Sequence, residues 1–165
     1  MAVKLGPQLP AAVGRLLEDE PDRQVGLTIL VLTIGAEGWP HVAMISVGEL
    51  VVIAPDRLAL ALWPASTCAA NLSHAKRATL ALVAEGHAFS LLCEGRTERP
   101  LQTGAGRPLR GFDLRVTEAL DDAAPYADLL SGVTYRLHDP AGALARWSAT
   151  RAALRATFGV GSRSA

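Results

Sequence analysis

Apolar residues in this chain fall into short runs, and turn residues separate each run from the next. Gly38 and Pro40 precede one such run, and Pro55-Asp56-Arg57 lies between two others. Short apolar runs bounded by glycine, proline and aspartate are typical of strands joined by tight turns. We predict strands over residues 25–34, 42–47, 50–54, 58–63, 78–84, 88–96, 109–119 and 133–138.

Other segments carry a helical pattern or no pattern. The clearest helix has Asp139 as N-cap, Pro140 at the first helical position and Gly159 as C-cap. Residues 97–108 hold two glycines and two prolines with little apolar patterning, so we predict a loop there. We predict helices over residues 10–17, 65–72, 123–130 and 140–158.

The order of these elements indicates the fold class. Six or seven of these segments forming one set of strands, with a helix inserted in the middle and another at the end, favour an antiparallel barrel with peripheral helices. A parallel α/β sheet fits less well, because the helices do not alternate with the strands. The length of 165 residues, about half of them apolar, fits one domain. We assign residues 1–160 to it and expect residues 161–165 to be a disordered tail.

Composition and charge exclude some classes of partner and indicate where the protein is located. The 16 basic and 16 acidic residues balance to a formal net charge of zero, which argues against nucleic acid or an acidic membrane surface as partner. The longest apolar run, residues 27–34, is far shorter than the roughly 20 residues of a spanning helix. Pro7 and Pro10 interrupt the N-terminal apolar residues, so no signal peptide is expected. Cys68 and Cys93 are too few for a disulfide framework, so a cytoplasmic location is predicted.

Familiar catalytic and metal motifs do not stand out. The four histidines are scattered without metal-ligand spacing, so we predict no metal site. Gly104-Ala105-Gly106 lacks the third glycine of a dinucleotide fingerprint, since Leu109 stands there. No Gly-x-Ser-x-Gly elbow is present, and no catalytic residue is assigned. Cys68 stands near a helix start, where its pKa could be lowered; the alternative is a small buried residue.

The segment from Gly38 to Arg77 carries a resemblance to a known family. Gly38-x-Pro40-His41 leads into a strand, a turn and a strand that ends in an aromatic residue. Ser66-Thr67-x-x-x-Asn71-Leu72 follows, and then a strand that begins near Arg77. This order resembles the FMN-binding split-barrel family of pyridoxamine 5'-phosphate oxidase-like proteins, over about residues 25–96. The resemblance implies a mainly β fold with peripheral helices, a six- to seven-stranded antiparallel split β-barrel.

The resemblance also implies a cofactor site and a partner. It implies a flavin-binding oxidoreductase that forms a homodimer with two FMN molecules at the interface. The isoalloxazine ring would lie along Val42, Ala43, Met44, Ile45 and Ser46. The phosphate would lie near Ser66, Thr67 and Asn71, whose alternative role is helix capping alone, and Cys68 beside them completes the predicted cofactor site. Trp63 and Trp147 are the aromatic residues best suited to stack on a planar ring.

The charges expected for the phosphate are missing from this sequence. In the oxidases, cationic side chains stand at the positions that here align with Ala43, Gly48, Thr67 and Cys68. A hydrogen bond to an ionised group contributes about 1.5–3 kcal/mol, where a neutral one gives about 1 kcal/mol. Loss of these cationic side chains would weaken FMN binding by orders of magnitude unless other positive charges replace them. The candidates are Arg77, a partner's arginine and the arginines of the 96–115 region: Arg96, Arg99, Arg107, Arg110 and Arg115.

Three hypotheses of function follow. The first is an FMN-binding oxidoreductase-like protein whose cofactor carries the electron chemistry. The second is a non-enzymatic, dimeric small-molecule binder that has lost tight flavin binding, which the missing cations favour. The third is a protein with a deazaflavin or heme in the same cleft. The substrate stays open, because the segments that would shape a pocket carry no recognition pattern.

Overall fold

The fold is taken from a computed structural model, which describes residues 2–104 and 108–159. The predicted tail at 161–165 and part of the predicted loop, residues 105–107, lie outside this range. The strands are β1 (Val3–Gly6), β2 (Thr28–Ile34), β3 (Pro40–Ser46), β4 (Leu50–Ala54), β5 (Arg57–Leu62), β6 (Arg77–Ala84), β7 (His87–Leu101) and β8 (Leu109–Asp122). The helices are α1 (Ala11–Glu18), α2 (Thr67–Ala75) and α3 (Pro140–Phe158), with short 3₁₀ helices at Pro21–Gln24 and Val47–Glu49.

One antiparallel sheet of eight strands forms the body of the protein. The strand order is β3-β2-β6-β7-β8-β5-β4, and β1 adds to β8. The end strands β3 and β4 do not pair with each other, although only the 3₁₀ helix Val47–Glu49 separates them in sequence. The sheet therefore curls into a barrel that stays open at this seam. The predicted class, a mainly β split barrel with peripheral helices, is confirmed, with eight strands instead of six or seven.

Alternating burial explains why these segments form strands. In β6 every second residue is buried, and its neighbours are only partly covered or exposed. Such alternation is expected of a strand with one face on a hydrophobic core. The inward side chains of five further strands meet those of β6 in that core, and several are fully buried: Ile29, Leu50, Leu60, Leu80, Leu91 and Leu114.

The end of α3 that faces the seam is fixed by its cap and by one buried arginine. As predicted, Asp139 caps the helix, because Asp139 Oδ1 accepts a hydrogen bond from the Gly142 amide at 3.0 Å. Arg151, only 4% exposed, donates to the carbonyls of Val47 and Leu17 at 3.2 Å and of Asp19 at 3.4 Å. Burial and the nearby Arg155 lower the pKa of Arg151. This side chain therefore connects α3 to the seam and to the end of α1.

Two predicted elements are wrong. Residues 123–130 form no helix, because Pro125 disfavours helical backbone at Ala124 and leaves too few residues for a stable helix. Tyr126 is 89% exposed and Leu130 94% exposed, so this segment also lacks a packed apolar face. Residues 133–138 form only an isolated bridge between Leu27 and Thr134. Tyr135 and Leu137 pack on the core without joining the sheet.

Two strand boundaries also differ from the sequence prediction. The strand β7 continues through residues 97–101, which were predicted as loop, because each of those residues pairs with β8 in register. The short strand β1 was not predicted; it pairs with the far end of β8. Both segments are largely exposed, so their apolar pattern is weak. No helix in the described part of the chain is long and apolar enough to cross a membrane.

Candidate functional site

A cleft of about 420 Å³ lies where the barrel is open, between β3 and β5. The wall on one side is the edge strand β3, and the wall on the other side is the end of β5 with the start of α2. The helix α3 covers one end. The lining residues are His41, Ala43, Met44, Ile45, Glu49, Ala61, Leu62, Trp63, Ser66, Cys68, Thr103, Leu109, Arg146, Trp147 and Thr150. The walls thus combine apolar and aromatic side chains with several polar ones, as small-molecule sites do.

The contact between α3 and the seam is unusually close at Gly48. A Cβ atom added to Gly48 would lie 2.0 Å from Cγ of Trp147, far inside van der Waals contact. Gly48 is buried, and Trp147 is 6% exposed. Trp147 therefore occupies the space in which a side chain at position 48 would otherwise stand.

Glu49 is a half-buried acid in the wall of the cleft. Its Oε2 atom accepts hydrogen bonds from the Ser46 amide at 2.6 Å and from the Ser46 hydroxyl at 2.5 Å. Burial raises the pKa of Glu49, while these two bonds and the charge of Arg146 oppose the rise. The carboxyl group is thus fixed by Ser46 and takes up a proton more readily than an exposed glutamate.

Tyr135 approaches the same acid from the irregular segment before α3. Its hydroxyl oxygen is buried, and no polar group of the described part of the chain meets it with full hydrogen-bond geometry, although Gly26 and Ser46 are close enough to act on it. Burial raises the pKa of Tyr135, and the charge of Glu49 adds to the rise, although the nearby Ser46 and Gly26 lower it. An unpaired buried hydroxyl is uncommon in folded proteins. Ser46, Glu49 and Tyr135 therefore form a polar cluster beside the cleft.

Six of the predicted cofactor residues lie in the cleft wall: Ala43, Met44, Ile45, Trp63, Ser66 and Cys68. Four others lie outside the wall. Val42 is exposed and does not line the cleft, although Met44, two residues further along the same face of β3, does. Ser46 bonds Glu49, Thr67 is exposed at the start of α2, and Asn71 Nδ2 donates to Thr33 Oγ1 at 3.1 Å.

The start of α2 combines capping with the cleft wall. Ser66 Oγ accepts a hydrogen bond from the Ala69 amide at 3.2 Å and donates to the Trp63 carbonyl at 2.8 Å. The cap role considered for Ser66 is thus present, and its oxygen also reaches the cleft. Cys68 is buried; burial raises the pKa of its thiol, and a hydrogen bond with Thr33 opposes the rise. Of the two interpretations of Cys68, the structure supports the buried residue.

The positive charge in the cleft comes from a residue that the sequence did not indicate. Arg146 of α3 lines the cleft, whereas the described arginines considered as substitutes do not. For example, Arg110 donates to Ser73 at 3.1 Å, and Arg115 lies 3.6 Å from Asp56. Only packing of α3 on the seam brings Arg146 to this place, so no local pattern could have found it. The other lining residues missed were His41, Glu49, Ala61, Leu62, Thr103, Leu109 and Thr150.

The residues present fit a planar, anionic cofactor such as a flavin. The strand β3 pairs only with β2, so the backbone groups of its free edge are available to the polar edge of a ring. Trp63 and Trp147 offer aromatic surface, and Arg146 offers charge for a phosphate. In contrast, no cluster of three or more histidine, cysteine, aspartate or glutamate residues that could hold a metal ion occurs among residues 2–104 and 108–159.

Several solved structures share this fold with the chain at low sequence identity. An F420 reductase is 13% identical, covers 67% of this chain and 98% of its own, and superposes with a TM-score of 0.53. A candidate pyridoxamine 5'-phosphate oxidase from Lactobacillus delbrueckii is 16% identical, with coverages of 70% and 97% and a TM-score of 0.54. An FMN-binding protein from Syntrophomonas wolfei is 14% identical, with coverages of 67% and 88% and a TM-score of 0.51. The chain thus shares the split-barrel fold of these proteins, as the resemblance implied.

Sequence similarity identifies a particular relative. No family model matches the chain. Among curated proteins, the uncharacterized protein YclD of Bacillus subtilis (strain 168) is 35% identical over 118 residues, which are 72% of this chain and 76% of the relative. The chain belongs to the same family as YclD.

Proposed function

We propose that this protein binds FMN or a related flavin-type cofactor in the cleft between β3 and β5, as an oxidoreductase-like protein. The observation that carries this proposal is the cleft itself, which lies at the open seam and has the free edge of β3 as one wall. The solved structures with this fold include an F420 reductase and an FMN-binding protein. A bound flavin would supply the electron transfer, and the chain would supply binding and orientation.

Each residue of the cleft wall would contribute to cofactor binding according to its position. Ala43 and Ile45 present short and branched apolar side chains to the cleft, where a flat ring needs a smooth wall. Trp63 stands at the mouth and is 56% exposed, so it is free to close on a bound ring. Arg146 provides the positive charge. His41 and Glu49 add two further polar side chains to the wall.

An absorption spectrum tests this proposal. The purified protein, with and without added FMN, FAD, F420 and heme, should show a flavin-type spectrum that changes on binding, together with a raised melting temperature. A protein whose spectrum and melting temperature ignore all four compounds would refute cofactor binding. If the protein responds only to F420 or only to heme, that compound and not FMN is its cofactor.

A second candidate function is a non-enzymatic small-molecule binder. The observation that favours it is the scarcity of charge: the four positions compared with the oxidases, Ala43, Gly48, Thr67 and Cys68, carry none. Under this alternative a flavin binds weakly and is not reduced. The same spectra, recorded with NADH or NADPH under anaerobic conditions, distinguish the two, because only the oxidoreductase bleaches the oxidised flavin band.

We also propose that the protein is a homodimer, through the outer face of β2 and β3. On this face Leu30, Leu32 and Ile34 stand opposite Met44, Val42 and Pro40. Met44 is 68% exposed, and Val42 and Ile34 are each 52% exposed. Such contiguous apolar patches on a folded protein favour association. A second copy of this chain is the occupant that we propose, since Met44 also lines the cleft and a partner there would help to close it.

The location proposed from the sequence is the cytoplasm. Cys68 and Cys93 are free and buried, so the fold needs no disulfide bond.

A further inference from the structure

Arg146 is the only arginine or lysine among the described residues of the cleft wall. The two other ionisable side chains of the wall besides the thiol of Cys68 are His41 and Glu49. Every lysine and every other arginine in the described part of the chain stands elsewhere. Any negatively charged group that enters the cleft therefore meets one fixed positive charge, and it comes from α3 instead of the barrel.

The position of Arg146 is determined by the packing of its own helix. The next residue, Trp147, lies over Gly48 so closely that position 48 can carry no side chain. Four residues further on, Arg151 bonds three backbone carbonyls, including that of Val47 at the seam. The part of α3 that directly follows Arg146 is thus held against the seam at two points. A pre-positioned arginine loses less conformational freedom when it binds a ligand.

Neighbouring acids do not neutralise Arg146 by direct contact. Arg146 makes no hydrogen bond or ion pair with another residue of the described chain, although its charge acts on Glu49. Glu49 directs its Oε2 atom to Ser46, and Asp139 uses Oδ1 to cap α3. Nη1 of Arg146 lies 3.3 Å from the place of a Cβ on Gly142, so the guanidinium group extends back along α3. Its donors stay available to a ligand.

We infer that Arg146 binds the anionic group, a phosphate or a carboxylate, of the molecule that occupies the cleft. This inference rests on the proposed function and assigns the ligand's charged end to the α3 side of the cleft. A guanidinium group presents parallel donors that match two oxygens of a phosphate or carboxylate. The helix α3 thus supplies the charge that Ala43, Gly48, Thr67 and Cys68 do not.

FMN and riboflavin provide a matched pair of probes, because they differ only in the phosphate. Binding is measured by the quenching of flavin fluorescence on titration with protein. We expect the wild-type protein to bind FMN about 10- to 100-fold more tightly than riboflavin, and Arg146→Gln to remove this preference. Arg146→Lys should restore part of it. Arg155→Gln, an exposed arginine on the same helix outside the cleft wall, is the control and should leave the preference intact.

Inorganic phosphate tests anion binding at Arg146 with a ligand that has no flavin ring. Line broadening of its ³¹P NMR signal should appear with the wild-type protein and with Arg155→Gln, and should be lost with Arg146→Gln. If both flavins bind equally and Arg146→Gln changes nothing, the inference is wrong while flavin binding stands. If neither flavin binds but phosphate shows the Arg146-dependent broadening, the flavin proposal fails while the anion site stands. If no probe binds, both are refuted.

Discussion

Gly48 and Trp147 pack so closely that a Cβ on Gly48 would lie 2.0 Å from the Trp147 ring. The contact joins the seam of the barrel to α3 and forms one end of the cleft. The φ angle of Gly48 is not positive, so the backbone conformation does not require glycine here. The close approach of Trp147 does.

Gly48→Ala should therefore destabilise the protein. Overpacking of a buried site costs about 1–3 kcal/mol in the free energy of unfolding, because the tryptophan and α3 must shift. Chemical denaturation followed by circular dichroism measures the change. The matched control is Gly14→Ala in α1, where an added Cβ meets nothing within 4 Å and alanine is favoured by about 0.5–1 kcal/mol. Equal effects of both substitutions would contradict the packing at the seam.

Arg151→Met should also destabilise the protein, for a different reason. The substitution keeps an apolar stem but removes the donors to the carbonyls of Val47, Leu17 and Asp19. Leaving even one buried acceptor unsatisfied costs about 1–3 kcal/mol. Denaturation midpoints give the loss. Arg155→Met, an exposed change on the same helix, should alter stability by less than about 0.5 kcal/mol. A mild effect of Arg151→Met would show that water replaces the guanidinium group.

Glu49→Gln should stabilise the protein more at high pH than at low pH. Burial raises the folded-state pKa of Glu49 above its ordinary value of 4.5, so the fold disfavours the carboxylate. The resulting penalty is absent below the ordinary value, grows as the pH rises toward the folded-state pKa, and is complete above it. The difference in unfolding free energy between Glu49→Gln and wild type should therefore increase from about pH 4 to about pH 8.

A glutamine at position 49 can still accept the Ser46 bonds, so the substitution removes mainly the charge. Glu37→Gln, which changes an exposed acid, serves as the control and should show no such trend. A Glu49→Gln curve parallel to that of wild type would show that Glu49 is as well solvated as an exposed acid.

Both cysteines should react slowly with thiol reagents in the folded protein. Burial raises the pKa of Cys93 to about 12 and also raises the pKa of Cys68. Since the thiolate is the reactive form, neither should be modified quickly by Ellman's reagent at neutral pH. In denaturant both should react at once. Fast reaction of one thiol in the native Cys93→Ala protein would assign a reactive thiolate to Cys68.

Met44→Glu should convert the proposed homodimer to a monomer. The substitution places a charge in the apolar face formed by β2 and β3, where Met44 is 68% exposed. Light scattering at micromolar concentration should give twice the chain mass for the wild type and the single chain mass for Met44→Glu. Leu130→Glu changes an exposed leucine outside this face and should remain dimeric. A monomeric wild-type protein would refute the dimer.

The sequence predicted those parts of the fold that depend on local pattern. The strand β4 and the helix α3 with its Asp139 cap were predicted correctly, because turn residues and capping residues mark their ends. The prediction of a helix at residues 123–130 was wrong. A polar start and two leucines are typical of a helix, but Pro125 prevents one here. Three residues of β3 that line the cleft, Ala43, Met44 and Ile45, were also named from the sequence, through the motif that precedes β3.

The charge in the cleft could not be predicted in this way. Arg146 is far from β3 along the chain, and only the packing of Trp147 on Gly48 brings the two together. Glu49 could not be predicted either, because its place in the site depends on its burial and on the hydrogen bonds that it accepts from Ser46. Long-range packing, and not residue type, makes these two side chains part of the candidate site.

The central claim is that a flavin-type cofactor occupies the cleft at the barrel seam with its anionic end at Arg146. The most direct measurement is an NMR titration of the isotope-labelled protein with FMN, which reports on each amide and on the arginine side chains. We predict that the largest shifts map to Ala43, Ile45, Ser66, Trp147 and the Arg146 guanidinium group. Shifts confined to other surfaces, or no shifts at saturating FMN, would contradict the account.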